Sequence, residues 1–288
     1  MAMLKTEIIT DPAELQRRCG ALKQSGRSIG LVPTMGALHP GHLSLVLTSK
    51  SECDATVVSI FVNPTQFAPN EDYDQYPRTL EADLELLRQI EGVDLVFAPK
   101  PEAMYPRGFD ASVHVGGLTG VFEGAFRPTH FDGVTTVVSK LMNASRADRA
   151  YFGQKDFQQA AVIRKMVRDL NMPVEVVVCP IIREPDGLAM SSRNRYLTGN
   201  RRKEALVLYE ALGQAEYRIV SGERDADVIR DEMRRMIERI PDTKIDYIAI
   251  CDPDSLAELS NIAGNVVILL AVRFGEVRLI DNLLVQPK

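Results

Sequence analysis

His39-Pro40-Gly41-His42 holds two of the chain's four histidines, three residues apart. It follows an apolar run, Ile29-Gly30-Leu31-Val32, and a turn of small residues, Pro33-Thr34-Met35-Gly36-Ala37. The segment Leu43 to Lys50 has few helix breakers, so the order reads strand, Gly-bearing turn, helix. Such a junction suits phosphate, because the first amides of a helix lack intrahelical partners and the dipole is positive there. His at i and i+3 can share one helix face. Two imidazoles so placed can donate to charge that develops at phosphorus, and Gly41 leaves room for close backbone approach. A zinc reading would need a wider His spacing with two cysteines, or His-Glu-x-x-His, and neither motif is present. A pair of idle surface histidines is the plain alternative; the strand-to-helix position favours phosphate.

The elements that must carry these residues follow from hydrophobic pattern. Residues 12–25 read as a helix and Ile29 to Val32 as a short buried strand. Ala55 to Val62 is a near-continuous β-branched run, as in a strand covered on both faces of a parallel sheet. Thr79 to Ile90 reads as an acidic amphipathic helix capped by its Thr. A third strand is expected at Val93 to Ala98. Residues 100–130, rich in Gly and Pro, read as a long functional loop with one strand at Ser112 to Val115. Phe131 to Asn143 and Phe157 to Leu170 are expected helices; Ala150 to Phe152 and Val174 to Cys179 are expected strands. This alternation predicts an α/β, Rossmann-like parallel sheet domain over 1–182. Beyond it the pattern changes. Helices near 201–220 and 225–239 and strands Ile245 to Cys251, Val266 to Val272 and Val277 to Leu284 predict a smaller C-terminal α+β domain over 183–288.

In an open α/β sheet, ligands bind outside the carboxyl ends of the strands. That rule gathers Pro33 to Gly36 and the His pair from the first strand, and Asn63 and Gln66 from the second. The fourth supplies Gly153-Gln154-Lys155-Asp156 with Gln158 and Gln159; the fifth supplies Ile182 and the Met190-Ser191-Ser192-Arg193 turn. Lys155 and Arg193 are cations suited to phosphate, unless they are solvated surface charges. Ser191 and Ser192 can hold phosphate oxygens, though capping is the commoner role for serine. Asp156 can cap its helix or accept from ribose hydroxyls. Gln66 and Gln159 are two-sided hydrogen-bonding groups that suit hydroxyls or a carboxylate. Met35 by itself reads as core filling.

Composition sets the outer bounds. Hydrophobic residues make up 45% and charged residues 25% of the 288, as in ordinary globular proteins. The net charge of −5 argues against a general nucleic-acid binder. Cys19, Cys53, Cys179 and Cys251 have no metal-ligand or redox spacing, which fits reduced thiols in the cytoplasm. No signal-peptide pattern and no membrane-length apolar run is present, so no membrane partner is expected.

Four segments together resemble the pantoate–β-alanine ligase (pantothenate synthetase) family of the nucleotidyltransferase superfamily. They are Pro33 to His42, Phe61 to Phe67, Phe152 to Gln159 and Ala189 to Asn194. The likeness is collinear over essentially the whole chain. His39 and His42 resemble the superfamily's His-Ile-Gly-His signature, and Ser191-Ser192-Arg193 its Lys-Met-Ser-Lys-Ser loop. The resemblance implies ATP-dependent joining of pantoate to β-alanine through pantoyl adenylate, with Mg²⁺ accompanying ATP, in a cytoplasmic homodimer. It implies that Met35, Gly36, Ala37, Leu38, His39, Pro40, Gly41 and His42 line the ATP site. Gly153, Gln154, Lys155, Asp156, Ile182, Met190, Ser191, Ser192 and Arg193 complete that site. His42 becomes the proton donor, with His39, Lys155, Ser191, Ser192 and Arg193 as further catalytic groups. Gln66 and Gln159 take pantoate, joined by Asn63, Pro33 and Met35; Gln66 also borders β-alanine. No protein metal ligand is implied. Thr65, Gln154, Thr129 and Met142 depart from the usual family residues, and none of them removes a group with an expected chemical role.

Other readings remain at this level. One is a nucleotidyltransferase that stops after moving a nucleotidyl group to a phosphorylated acceptor. Another is a nucleotide-binding regulator without turnover, which the intact His pair, Lys155 and Arg193 argue against. A Rossmann dehydrogenase lacks its Gly-x-Gly-x-x-Gly here. A tRNA synthetase lacks its anticodon-domain length.

Overall fold

A computed structural model describes residues 6–69 and 71–288. Its contacts divide the chain into two units. The first holds 1–153 and 159–180; the second holds 154–158 and 181–288. The short stretch Gln154–Gln158 thus goes with the second unit although it lies between two segments of the first.

The first unit is built on six parallel strands: β1 (Glu7–Ile9), β2 (Ile29–Thr34), β3 (Ala55–Ile60), β4 (Leu95–Phe97), β5 (Arg149–Gly153) and β6 (Glu175–Cys179). Their order is β1-β4-β3-β2-β5-β6. The helices are α1 (Pro12–Gln24), α2 (Pro40–Glu52), α3 (Leu80–Gln89), α4 (Pro101–Met104), α5 (Glu123–Phe126), α6 (His130–Ser145) and α7 (Phe157–Asp169). Strand alternation divides the buried side chains between two cores. Ile29 and Leu31 of β2 join Val57, Leu95 and Phe152 under α1, α6 and α7. Val32, Val58, Val96 and Tyr151 point the other way, onto Leu45 and Val46 of α2 and Leu84 and Leu87 of α3. The order reverses between β2 and β5, where the carboxyl ends lead into the Pro33 turn and Gly153. That is the switch point where open α/β sheets take ligands.

The second unit carries a three-stranded antiparallel sheet: β7 (Thr243–Cys251), β8 (Val266–Phe274) and β9 (Val277–Val285). Its helices are α8 (Arg201–Glu204), α9 (Val207–Val220) and α10 (Ala226–Glu238). Ala211, Leu212, Ala215 and Ile219 of α9 and Ile229, Met233 and Ile237 of α10 bury against Ile248, Ile268 and Leu270. This is the expected fold class, a Rossmann-like α/β sheet followed by a smaller α+β unit.

Four expectations need correction. No strand forms at Ser112 to Val115; its backbone is pinned by side chains instead, Val113 N donating to Thr136 Oγ1 at 3.0 Å. The surrounding 100–130 stretch holds two short helices, α4 and α5. The expected helix over 201–220 is two, α8 and α9. Thr79 precedes α3 without a side-chain capping bond; its hydroxyl lies 3.3 Å from both carboxylate oxygens of Asp83. The edge strand β1, only three residues long, was not expected from the sequence. All four cysteines are free, and burial pushes the Cys19 and Cys251 thiols up to about 12.

Candidate active site

In the first unit the chain leaves β2 into a turn whose amides are already used. Gly36 N donates to Thr34 Oγ1 at 3.1 Å. Ala37 N and Leu38 N donate to the two carboxylate oxygens of Asp83, at 3.0 and 2.8 Å. Asp83 is 1% exposed and sits on α3 between Leu80, Leu84 and Leu87. The turn fits around it because Gly36 adopts φ +81°, and a Cβ there would lie 3.0 Å from the carboxylate and 3.1 Å from Ile60. Ala37 is also left-handed, at φ 50°.

Helix α2 begins directly after this turn. His39 is its N-cap, with Nδ1 accepting from Gly41 N at 3.2 Å. An accepting Nδ1 carries no proton, so the ring hydrogen of the neutral imidazole sits on Nε2. Pro40 at the first helical position has no N–H to satisfy. His42 N donates to the His39 carbonyl at 2.8 Å. The two rings lie 4.0 Å apart between centroids, tilted by 34°. The structure therefore corrects the physical reason for expecting an anion here. The amides of Gly36, Ala37, Leu38, Gly41 and His42 are engaged within the unit. What remains at this junction is a pair of adjacent imidazoles at the positive end of α2.

After β3 comes a 3₁₀ turn, Pro64–Gln66, started by Asn63. Asn63 is 1% exposed and engaged on both sides. Its Oδ1 accepts from Tyr105 Oη at 2.7 Å and Thr65 Oγ1 at 3.0 Å. Its Nδ2 donates to Gln66 Oε1 and to the Gly133 carbonyl, both at 3.1 Å. Gln66 Nε2 in turn reaches Met35 Sδ at 3.0 Å. Asn63 thus orients Gln66 from behind. Helix α6 approaches this turn closely enough that a Cβ at Gly133 would lie 2.4 Å from the Thr65 carbonyl. The Gln66 carbonyl meets His130 Nδ1 at 3.0 Å and Arg127 Nη2 at 3.3 Å. Arg127 pairs with Glu71 at 2.5 and 2.7 Å. Burial, reinforced by the Arg127 charge, depresses the His130 pKa to about 4. Burial pushes the Glu71 carboxyl up, but the bonds and charge of Arg127 outweigh it and hold the group below its usual range. Gln159 lies half-buried in the first turn of α7, and Pro33 half-buried on β2.

The second unit holds the remaining expected residues. Gln154, Lys155 and Asp156 form a 3₁₀ turn, with Lys155 half-buried and Asp156 exposed. Ile182 and Met190 are joined by a backbone bond of 2.9 Å that closes a hairpin. Ser191 caps the 3₁₀ turn Ser192–Tyr196 by accepting from Arg193 N at 3.2 Å. Asn194 Nδ2 fastens that turn to Glu184 at 2.7 Å and to the Ala189 carbonyl at 3.0 Å.

The groups that hold these turns escaped the sequence reading. Asp83 had a visible signal, an acid on the apolar stripe of a helix. Arg127, Glu71 and His130 had none, because their partners lie dozens of residues away.

A family model described as pantoate-beta-alanine ligase matches residues 7–284. A pantothenate synthetase of Moorella thermoacetica is 54% identical over 280 residues, covering 97% of this chain and 99% of that one. The crystal structure of pantothenate synthetase from Thermus thermophilus superposes with a TM-score of 0.92 at 48% identity, covering 98% and 100% of the two chains. A pantoate-beta-alanine ligase from Francisella tularensis, solved in complex with beta-gamma ATP and β-alanine, gives 0.79 at 36% identity, covering 97% of each. With its fold and nearly its whole length matched, the chain belongs to the pantoate–β-alanine ligase family.

Proposed function

We propose that the chain joins pantoate to β-alanine at the expense of ATP, in two steps. A carboxylate oxygen of pantoate attacks the α-phosphorus, and the bond to pyrophosphate breaks. The amine of β-alanine then attacks the acyl carbon of pantoyl adenylate, AMP leaves, and the amine gives up a proton. Both nucleophiles come from substrates, so the protein's part is to position them and stabilise charge. The observation that carries this reading is the paired imidazoles at the start of α2, one fixed as cap with its Nε2 hydrogen outward from the bond, the other one turn on.

His42 is read as the donor to the developing phosphate charge, and His39 as its oriented neighbour. Lys155, Ser191, Ser192 and Arg193 are read as phosphate ligands, and Gln66 and Gln159 as pantoate ligands. The paired bonds of Asn63 support an orienting role for it. Magnesium is read as arriving on the phosphates of ATP, as the family resemblance implies. No helix among the described residues is long and apolar enough to cross a membrane. A cytoplasmic homodimer is the reading that family resemblance supports. The test is omission of each substrate in turn. Pyrophosphate release should need ATP and pantoate only, and AMP release β-alanine as well; equal ATP turnover without pantoate would overturn the assignment.

A further inference from the structure

Two adjacent residues of β9 hold the turns that carry the expected cationic and hairpin residues of the second unit. Asn282 is 1% exposed, in a strand otherwise rich in apolar side chains. Its Nδ2 donates to the carbonyls of both Gln154 and Lys155, at 2.9 Å each. Its Oδ1 accepts from Gln154 Nε2 at 3.2 Å. One side-chain amide thereby clasps two consecutive peptide units and a side chain. Its neighbour Asp281 is also buried and accepts a two-pronged pair from Arg183, at 2.7 and 3.0 Å. Arg183 further donates to the Gly187 carbonyl at 3.0 Å and lies over the Tyr209 ring at 4.8 Å. Arg183 follows Ile182, so the same stretch of β9 also anchors the Ile182–Met190 hairpin.

We propose that Asn282 is a positioning residue for ATP use: by clasping the carbonyls of Gln154 and Lys155 it sets the direction in which the Lys155 ammonium is presented to the nucleotide phosphates. The inference rests on the reading of Lys155 as a phosphate ligand. The chemistry of the clasp is specific. Only a side-chain amide offers two N–H donors for two carbonyls together with an acceptor for the Gln154 amide. A carboxylate of the same shape would face those carbonyls with oxygen. Lysine's long stem leaves its head undirected unless its backbone is held, and catalytic geometry tolerates little error: a displacement of about 1 Å is worth on the order of 100-fold in rate.

The experiment is a cycle of Asn282→Ala, Lys155→Ala and the double variant, measured by pyrophosphate release with ATP and pantoate varied separately. Asn282→Ala should raise KM for ATP and lower the adenylation rate, on the order of 10- to 100-fold together, with KM for pantoate within about twofold. Asn282→Asp should be no better. In the Lys155→Ala background the Asn282 substitution should have almost no further effect on ATP, because the group it positions is gone. Should Asn282→Ala fail to fold, Asn282→Ser, which keeps a single shorter donor in place of the two N–H groups of the amide, should give the same ATP-selective loss in smaller measure. A folded Asn282→Ala enzyme with parental ATP kinetics, or losses that multiply independently in the double variant, would overturn the positioning role. If Lys155→Ala leaves ATP kinetics unchanged, the reading of Lys155 itself fails instead.

Discussion

Removing the Asp83 carboxylate should unfasten the turn between β2 and α2. Asp83→Ala deletes two bonds from backbone N–H groups to a buried carboxylate, at 3.0 and 2.8 Å. Each is worth about 1.5–3 kcal/mol, so the direct loss is about 3–6 kcal/mol. Part is recovered, because Ala37 is held left-handed at φ 50°, a conformation that costs an L-residue about 1–2 kcal/mol. Freed of the carboxylate, the turn can leave it. The net expectation is a loss of about 2–4 kcal/mol, concentrated in the turn. Asp83→Asn keeps one acceptor and should lose about half as much. Since His39 follows Leu38 directly, adenylation should fall on the order of 100-fold. The assay pairs amide hydrogen exchange at Ala37 and Leu38 with single-turnover pyrophosphate release. Exchange is preferred to a melting curve because a chain of two units need not unfold in one transition. Parental protection of both amides, or release within twofold of the parent, would refute the argument that Asp83 builds this turn.

His42→Ala should slow adenylation by about 10²–10³, as for loss of one oriented donor. His39→Asn, which retains a good helix cap, should slow the reaction without loss of stability; a destabilised but fully active variant would leave His39 with capping alone. Gln159→Ala should weaken pantoate by about 1.5–3 kcal/mol and ATP far less, and calorimetric titration showing equal losses would place the side chain elsewhere. His130 should make stability fall in mild acid. Its folded pKa is depressed to about 4 against an ordinary 6.5, so between those values the unfolded chain takes a proton that the folded chain refuses. The contribution is full above pH 6.5, and by pH 5 about 2 kcal/mol of it is gone. Comparing unfolding free energies at pH 7.5 and 5 for the parent and His130→Asn checks this; an identical pH slope in both would exclude His130 as the source.

Local pattern determined most of the strands and helices, but not β1, and not the stretch Ser112 to Val115, which forms no strand. The near-continuous apolar run at 55–62 fits a strand covered on both faces of a parallel sheet, and its β3 lies between β2 and β4. The switch in pattern after residue 182 pointed to a smaller α+β unit with three strands, since period and residue type are properties of adjacent residues; that those strands pair antiparallel came from the structure. The His39 and His42 pair was legible because one helical turn brings i and i+3 together whatever surrounds them. Tertiary structure alone decided what these histidines have beside them. That Asp83 takes the amides expected for phosphate, that Asn63 orients Gln66, and that Asn282 clasps Lys155 from a strand 127 residues later are all contacts between distant segments. A polar side chain's partners are set by which elements the sheet order makes neighbours. No spacing in the chain records that order, so the sequence offered candidate groups by residue type and the fold decided which side chains stand beside them.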